Sequence, residues 1–373
     1  MRFTLLRSSL FLLMLLTTAL SAGCQPTTPP PDTIVIGKLY TSNPQQPEAE
    51  AVAIQNGRFR FVGSQQEALK LADSNTTVIN LNNAVAYPGL IDAHVHVAGI
   101  GSALRSVDLR SAQDFSEIIE RVHARAEALR PGTVILGTGW HQSKWTQPPE
   151  GHLNGFPTHD ALSQAVPSHP VLLEHANGHS VLLNQAAMDS LGITDDSIAP
   201  EGGVIVRLNG APTGLLHETA IELTAPLQQY DLKTATSLVD AAQSHLLSQG
   251  ITTAHDAGAS QVDLAAQTRM AQEGNLIVRL YSMVYASDER AMQEWLARGP
   301  LLNDGDHRLA VRSIKVQADG ALGSRTAWLH APYSDAPDTR GVLTFSLEAL
   351  SELIAKTRED NWQINVHAIG DRA

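Results

Sequence analysis

The sequence predicts an α/β chain built on a parallel sheet, and three observations carry that expectation. From Leu238 onward, apolar runs of strand length alternate with amphipathic runs of helix length, the pattern of βαβ units. Before residue 86 the apolar runs are short and separated by turn residues, which reads as a small β domain. Between the two lies Ala86-Tyr-Pro-Gly-Leu-Ile-Asp-Ala-His-Val-His96. Here Pro88-Gly89 suits a bend between domains and Leu90-Ile91 a buried strand. In an extended chain alternate side chains share a face, so His94 and His96 point the same way. Two imidazoles on one face of a strand end can grip one divalent cation; the alternative is a pair of ordinary polar residues.

The N-terminus reads as a targeting segment. Arg2 and Arg7 precede the apolar run Leu10–Leu16, which is too short to span a membrane comfortably. Ser21-Ala-Gly-Cys24 follows, so residues 1–23 are expected to be a signal peptide and 24–32 a Pro-rich, extended tether. Residues 33–85 are expected to form the N-terminal part of a small β-sandwich-like domain. Its strands lie at Thr33–Gly37, Ala51–Ile54 with Arg58–Val62, and Thr77–Leu81. Turns are expected at Asn43-Pro44, Asn56-Gly57 and Asn82-Asn83.

After the histidine pair comes a long excursion. Asp114-Phe-Ser-Glu117 has capping-box spacing, and Phe115, Ile118, Ile119 and Val122 share one helical face that ends before Pro131-Gly132. Thr133–Trp140 reads as a strand, and His169–His179 and Gly202–Glu218 read as further strands and turns. We assign roughly 105–230 to an insertion on the ligand side of the sheet, where long loops shape specificity. Then helices at 238–248, 262–273, 289–298 and 347–358 alternate with strands at 251–256, 276–284, 311–316 and 363–368.

Composition narrows the function. With 373 residues, 43% hydrophobic and a formal net charge of −12, the chain can bury a large core and lacks the concentrated Lys/Arg of nucleic-acid binders. One cysteine allows no internal disulfide. Ser102, Ser143 and Ser180 show no nucleophile elbow, and no Gly-rich phosphate loop is present.

PGLIDAHVH, SIKVQADGALGSRTA and INVHAIGDRA, in that order, resemble the amidohydrolase superfamily, in particular the family 3 branch that includes N-substituted formamide deformylases. The likeness runs from about residue 33 to 373. It implies a TIM-type (β/α)8 metal-dependent hydrolase barrel spanning 86–373, of which this chain holds about the first five strands. It also implies that the small β domain is completed by C-terminal strands. By the same resemblance His94 and His96 hold one metal, His367 a second, and Lys315 bridges them after carboxylation by carbon dioxide. Cofactors are then one or two divalent ions; zinc is preferred, and iron or manganese would also suit. A neutralised lysine between two cations can add carbon dioxide to become an anionic oxygen ligand, whereas by itself Lys315 reads as a lysine snorkelling from a strand end. Asp319 reads as a loop anchor or cap and is not counted as a ligand.

The implied reaction is hydrolysis of an amide, formamide or N-acyl C–N bond of a small molecule by a metal-activated water. The resemblance places the proton-shuttling aspartate, and a further histidine, beyond Ala373. Trp140 and Trp145 can line a pocket or pack; His179 can touch substrate or be structural. His141 and Asn177 stand where relatives often carry Asp. Ser21–Cys24 resembles a lipoprotein processing site, which makes Cys24 the lipidated residue and the protein an exported, periplasmic or outer-membrane-anchored one. Ordinary signal-peptidase cleavage is the alternative. The rival to the enzyme reading is a non-catalytic lipoprotein that binds a ligand or partner through the insertion.

Overall fold

The structure, a computed structural model, describes residues 29–373 except 154, 201–202, 323–325 and 335–336. The expected signal peptide, Cys24 and the Gly323-Ser324-Arg325 part of the second motif therefore lie outside the described residues. The chain divides into two compact units at Gly89/Leu90.

The first unit is a single four-stranded sheet in the order β3-β2-β1-β4. Its strands are β1 (Thr33–Tyr40), β2 (Glu48–Gln55), β3 (Arg58–Gly63) and β4 (Thr77–Ala86). The Asn56-Gly57 hairpin forms as expected, with φ of 50° and 69° at the two turn residues, a conformation that suits Asn and Gly. A helix rather than a second sheet covers the apolar face: Ala68 of α1 (Gln65–Leu69) packs on Ile34, Ile36, Ala51 and Ala53. Asn82-Asn83 is not a turn between strands. β4 runs on to Ala86, and a register shift against β1 takes up the left-handed Asn82 without ending the pairing.

In the second unit five parallel strands neighbour one another in the order β5, β12, β13, β15, β16. These are β5 (Leu90–Val95), β12 (Ile251–Ala259), β13 (Arg279–Tyr285), β15 (Leu309–Gln317) and β16 (Gln363–His367). They match the five strands read from sequence. A short antiparallel β14 (Leu301–Asn303) joins β15 at a single pair, Leu301 with Val311. Because all five run the same way, their C-terminal ends form one rim.

Directly after His96 the chain enters α2 (Val97–Arg105), a helix that the sequence did not announce. It lies against α7 (Leu232–Ser248) so closely that a Cβ on Gly101 would overlap the Leu238 carbonyl. α7 itself starts six residues earlier than expected, at an Asp231 cap whose side chain accepts from the Thr234 amide, 2.8 Å away. α8 (Gln261–Gln272), α9 (Glu289–Arg298) and α10 (Leu347–Thr357) follow, and Val239, Leu246, Leu264, Trp295 and Leu353 close one core over the sheet.

Between α2 and α7 the insertion builds its own six-stranded sheet, ordered β10-β11-β9-β8-β7-β6. Its strands are β6 (Val107–Asp108), β7 (Ile135–Trp140), β8 (Val171–His175), β9 (Ser180–Leu183), β10 (Gly203–Leu208) and β11 (Ala211–Glu218). α3 (Phe115–Glu127) and α4 (Asp160–Ala165) supply Phe115, Ile118, Val122 and Leu162 to one apolar cluster. α5 (Gln185–Leu191) and α6 (Ala225–Gln228) contribute Ala187, Met188 and Leu227 to another. Asp114 caps α3 as expected, but the Glu117 carboxylate turns back to the Gln113 amide instead of completing the box at Asp114.

Gly101→Ala tests the α2–α7 contact. Alanine ordinarily favours a helix over glycine, yet here the overlap with Leu238 outweighs that gain. The variant is expected to lose on the order of 1–3 kcal/mol or more, read as a lowered denaturant midpoint.

Candidate metal centre

Each candidate ligand sits at the C-terminal rim because of where it falls in its strand. His94 is the penultimate residue of β5 and His96 the first beyond it; their rings lie 5.6 Å apart between centroids, nearly perpendicular at 82°. Lys315 is two residues from the end of β15 and His367 is the last residue of β16. Parallel register sets Lys315 opposite Asn365 and Gln317 opposite His367, so the alternate residues Ser313, Lys315 and Gln317 share a face with Gln363, Asn365 and His367. That face is polar throughout. Tyr285 donates to Gln317 at 2.9 Å, Tyr281 to Gln363 at 2.7 Å, and Asn365 to Ser313.

Lys315 is only 8% exposed, and among the described residues no carboxylate lies within ion-pair distance of its amine. Burial lowers its pKa. His96 is also held below the ordinary imidazole value, first by burial and then by the charges of His94 and Lys315. His96 is thus within electrostatic reach of both His94 and Lys315.

The fourth candidate arrives differently. His367 Nε2–H donates to the Gly320 carbonyl at 2.9 Å, which leaves Nδ1 as the ring nitrogen that can accept a cation. Metal-binding histidines commonly use their second nitrogen in this way. Among the described residues no three His, Cys, Asp or Glu side chains converge as a ready cage, and nothing links His367 directly to the His94/His96/Lys315 group.

Asp319 resolves as an anchor. It is fully buried, and its two oxygens accept from the Trp328, Ile369 and Gly370 amides at 2.8, 3.0 and 2.7 Å. Burial alone would raise its pKa; the three amides and the nearby His367 outweigh that and lower it. Asp319 thereby ties the loop after β15 to the segment after His367.

The insertion residues separate into packing and polar groups. Trp140 is 1% exposed, donates its indole N–H to the Leu173 carbonyl at 2.9 Å and stacks on the likewise buried Trp145, 5.9 Å between centroids. Both belong to the apolar core of the insertion. His141 Nδ1 accepts from the Ser143 amide at 3.1 Å, and Asn177 Oδ1 accepts from the His179 amide at 2.8 Å. Each performs the acceptor role that an aspartate would at the same turn. His179 is half-buried.

Two residues escaped the sequence reading. His175 is buried against Trp140, with Nε2 donating to Gln142 at 2.8 Å and Nδ1 accepting from Asn177 at 3.2 Å. Burial lowers its pKa; the contact with Asn177 opposes this and the charges of His141 and His217 add to it. Asp256, in β12, is buried beside the start of α2. Burial raises its carboxyl to about 6, against the Val97 and Gln267 hydrogen bonds that favour the charged form. An acidic residue at a core-facing strand position was the available signal.

Residues 77–373 match the Amidohydrolase family. The chain belongs to that family. It is 33% identical over 350 residues to the protein YtcJ of Bacillus subtilis (strain 168), covering 90% of this chain and 63% of that protein. It is 29% identical over 232 residues to an N-substituted formamide deformylase of Arthrobacter pascens, covering 60% of this chain and 42% of that enzyme. Among solved structures, an uncharacterized metal-dependent hydrolase from Pyrococcus horikoshii OT3 superposes with a TM-score of 0.74 at 26% identity. That match covers 91% of this chain and 65% of that one. The chain thus spans under two thirds of the length of these relatives, and its mixed α/β fold is that of amidohydrolases.

Asp319→Ala removes the acceptor of three amides at once. We expect a loss on the order of 3 kcal/mol or more, with faster hydrogen exchange at Trp328, Ile369 and Gly370 and unchanged exchange in β12.

Proposed function

We propose that this amidohydrolase-family chain is part or all of a metal-dependent hydrolase acting on a C–N bond of a small molecule. The candidate bonds are amide, formamide and N-acyl. The observation that carries the reading is a His-x-His pair within electrostatic reach of a buried lysine that has no carboxylate partner among the described residues. A buried ammonium without a partner is costly; a neutral amine that has taken up carbon dioxide, facing a cation, is not. His94, His96 and Nδ1 of His367 suit a borderline divalent ion, and zinc is our preferred identity. The family and the names of the relatives YtcJ and the formamide deformylase matched here add support for hydrolysis.

In this proposal His94 and His96 orient the cation from β5, Lys315 supplies a carbamate oxygen from β15, and Gly320 fixes the tautomer of His367. Bound there, the ion would polarise a carbonyl and acidify a water. Tyr281, Tyr285 and Asn365 offer hydrogen bonds on the same sheet face. Export, with Cys24 as the lipid-anchored residue, remains part of the proposal.

The test is metal analysis with turnover. The purified protein should hold one or two divalent ions and should hydrolyse members of a panel of N-substituted formamides and N-acyl amino acids. Chelation should abolish turnover and zinc restore it. Lys315→Ala and His96→Ala should lower metal affinity by more than the roughly 10–100-fold typical of losing a supporting residue. Unchanged metal content in Lys315→Ala would remove Lys315 from the ligand set.

A further inference from the structure

The turn that follows His96 is held from a distant part of the chain. His96 occupies the cap position of α2, with φ −114° and ψ 99°, yet its side chain makes no capping hydrogen bond. The first amide of the helix, Val97 N–H, instead donates to Asp256 Oδ1 at 3.2 Å. Asp256 is 2% exposed, and its Oδ2 accepts from Gln267 Nε2 at 2.7 Å. Gln267 Oε1 in turn accepts from the Ser282 hydroxyl at 2.6 Å, with both residues fully buried. The carboxylate of β12, the amide of α8 and the hydroxyl of β13 therefore form one chain that ends on the backbone next to His96.

This arrangement has a chemical consequence. A side chain at a helix cap ordinarily spends its polar atom on the first-turn amides. Asp256 satisfies the Val97 amide from outside the helix, and the His96 imidazole, which makes no capping hydrogen bond, stands 5.6 Å from the His94 ring. An acidic group at a helix N-terminus is also favoured by the helix dipole. A chain in which each buried polar atom has its partner is stiff, because any rotation strands a buried group.

We propose that Asp256 is a positioning residue for the candidate metal centre: through Val97 it fixes the backbone turn that aims His96. The functional consequence rests on the metal reading above; the positioning itself does not. Gln267 and Ser282 act behind it by fixing the rotamer of Asp256.

The test combines hydrogen exchange on the metal-free chain with zinc titration. Asp256→Ala should speed exchange of the Val97 amide at least tenfold while β13 and β15 stay protected, and should weaken zinc binding at least tenfold. Asp256→Asn keeps an oxygen for Val97 and can face a flipped Gln267 amide, so it should restore both. An Asp256→Ala protein that is only less heat-stable, with Val97 protection and zinc affinity unchanged well below its melting temperature, overturns the proposal. If Asp256→Ala does not fold, Asp256→Asn decides. Wild-type protection and affinity support the proposal; weakened zinc binding with Val97 still protected overturns it. A wild-type chain that takes up no zinc would sink the metal reading alone, since the Val97 rates still decide the positioning.

Discussion

Parallel pairing of β5, β12, β13, β15 and β16 is the constraint from which the rest of the second unit follows. Strands that run the same way must be joined by crossovers, and the helices that make those crossovers bury one face of the sheet. The same direction brings every strand's end to one rim, so residues 94, 96, 315 and 367 all lie at that rim despite their separation in sequence, with His367 on the strand farthest from β5. Register then selects the face: the pairs Lys315 with Asn365 and Gln317 with His367 align the polar positions of adjacent strands.

At that rim two anchoring devices of the same kind appear. Asp256 holds the backbone after His96, and Asp319 holds the backbone after His367. Each is a buried carboxylate that accepts from the main chain, Asp256 from one amide and Asp319 from three, and each sits next to a candidate ligand. Buried carboxylates are costly unless fully hydrogen-bonded, so such groups fix one local conformation firmly. The insertion rests on a separate basis, with Trp140 and Trp145 inside its own core and His141 and Asn177 shaping its turns.

Much of this was legible because local pattern and final structure agree. The Asn-Gly hairpin, the Asp114 cap and the five parallel strands declare themselves through turn chemistry and apolar period. α2 did not, for a physical reason: Val97-Ala-Gly-Ile-Gly has two glycines, no conventional cap precedes it, and its first amide is satisfied from a residue 159 positions away. The first turns of α7 carry Thr234 and Thr236, weak helix formers whose helical state is set by packing against α2. Asn82 reads as a turn residue, but pairing with β1 on both sides of it keeps the strand going.

The sequence by itself determined the alternation of strands and helices, the shared face of His94 and His96, and the motifs that mark an amidohydrolase. Those are properties of residues near one another along the chain, where the periods of strand and helix apply. Only the tertiary structure decided that Lys315 is buried with no carboxylate partner among the described residues, that Trp140 is core, and that Asp319 and Asp256 accept from main-chain N–H groups. Burial and hydrogen-bond partnership depend on which distant segments come together, and the side-chain period of a single segment does not encode that.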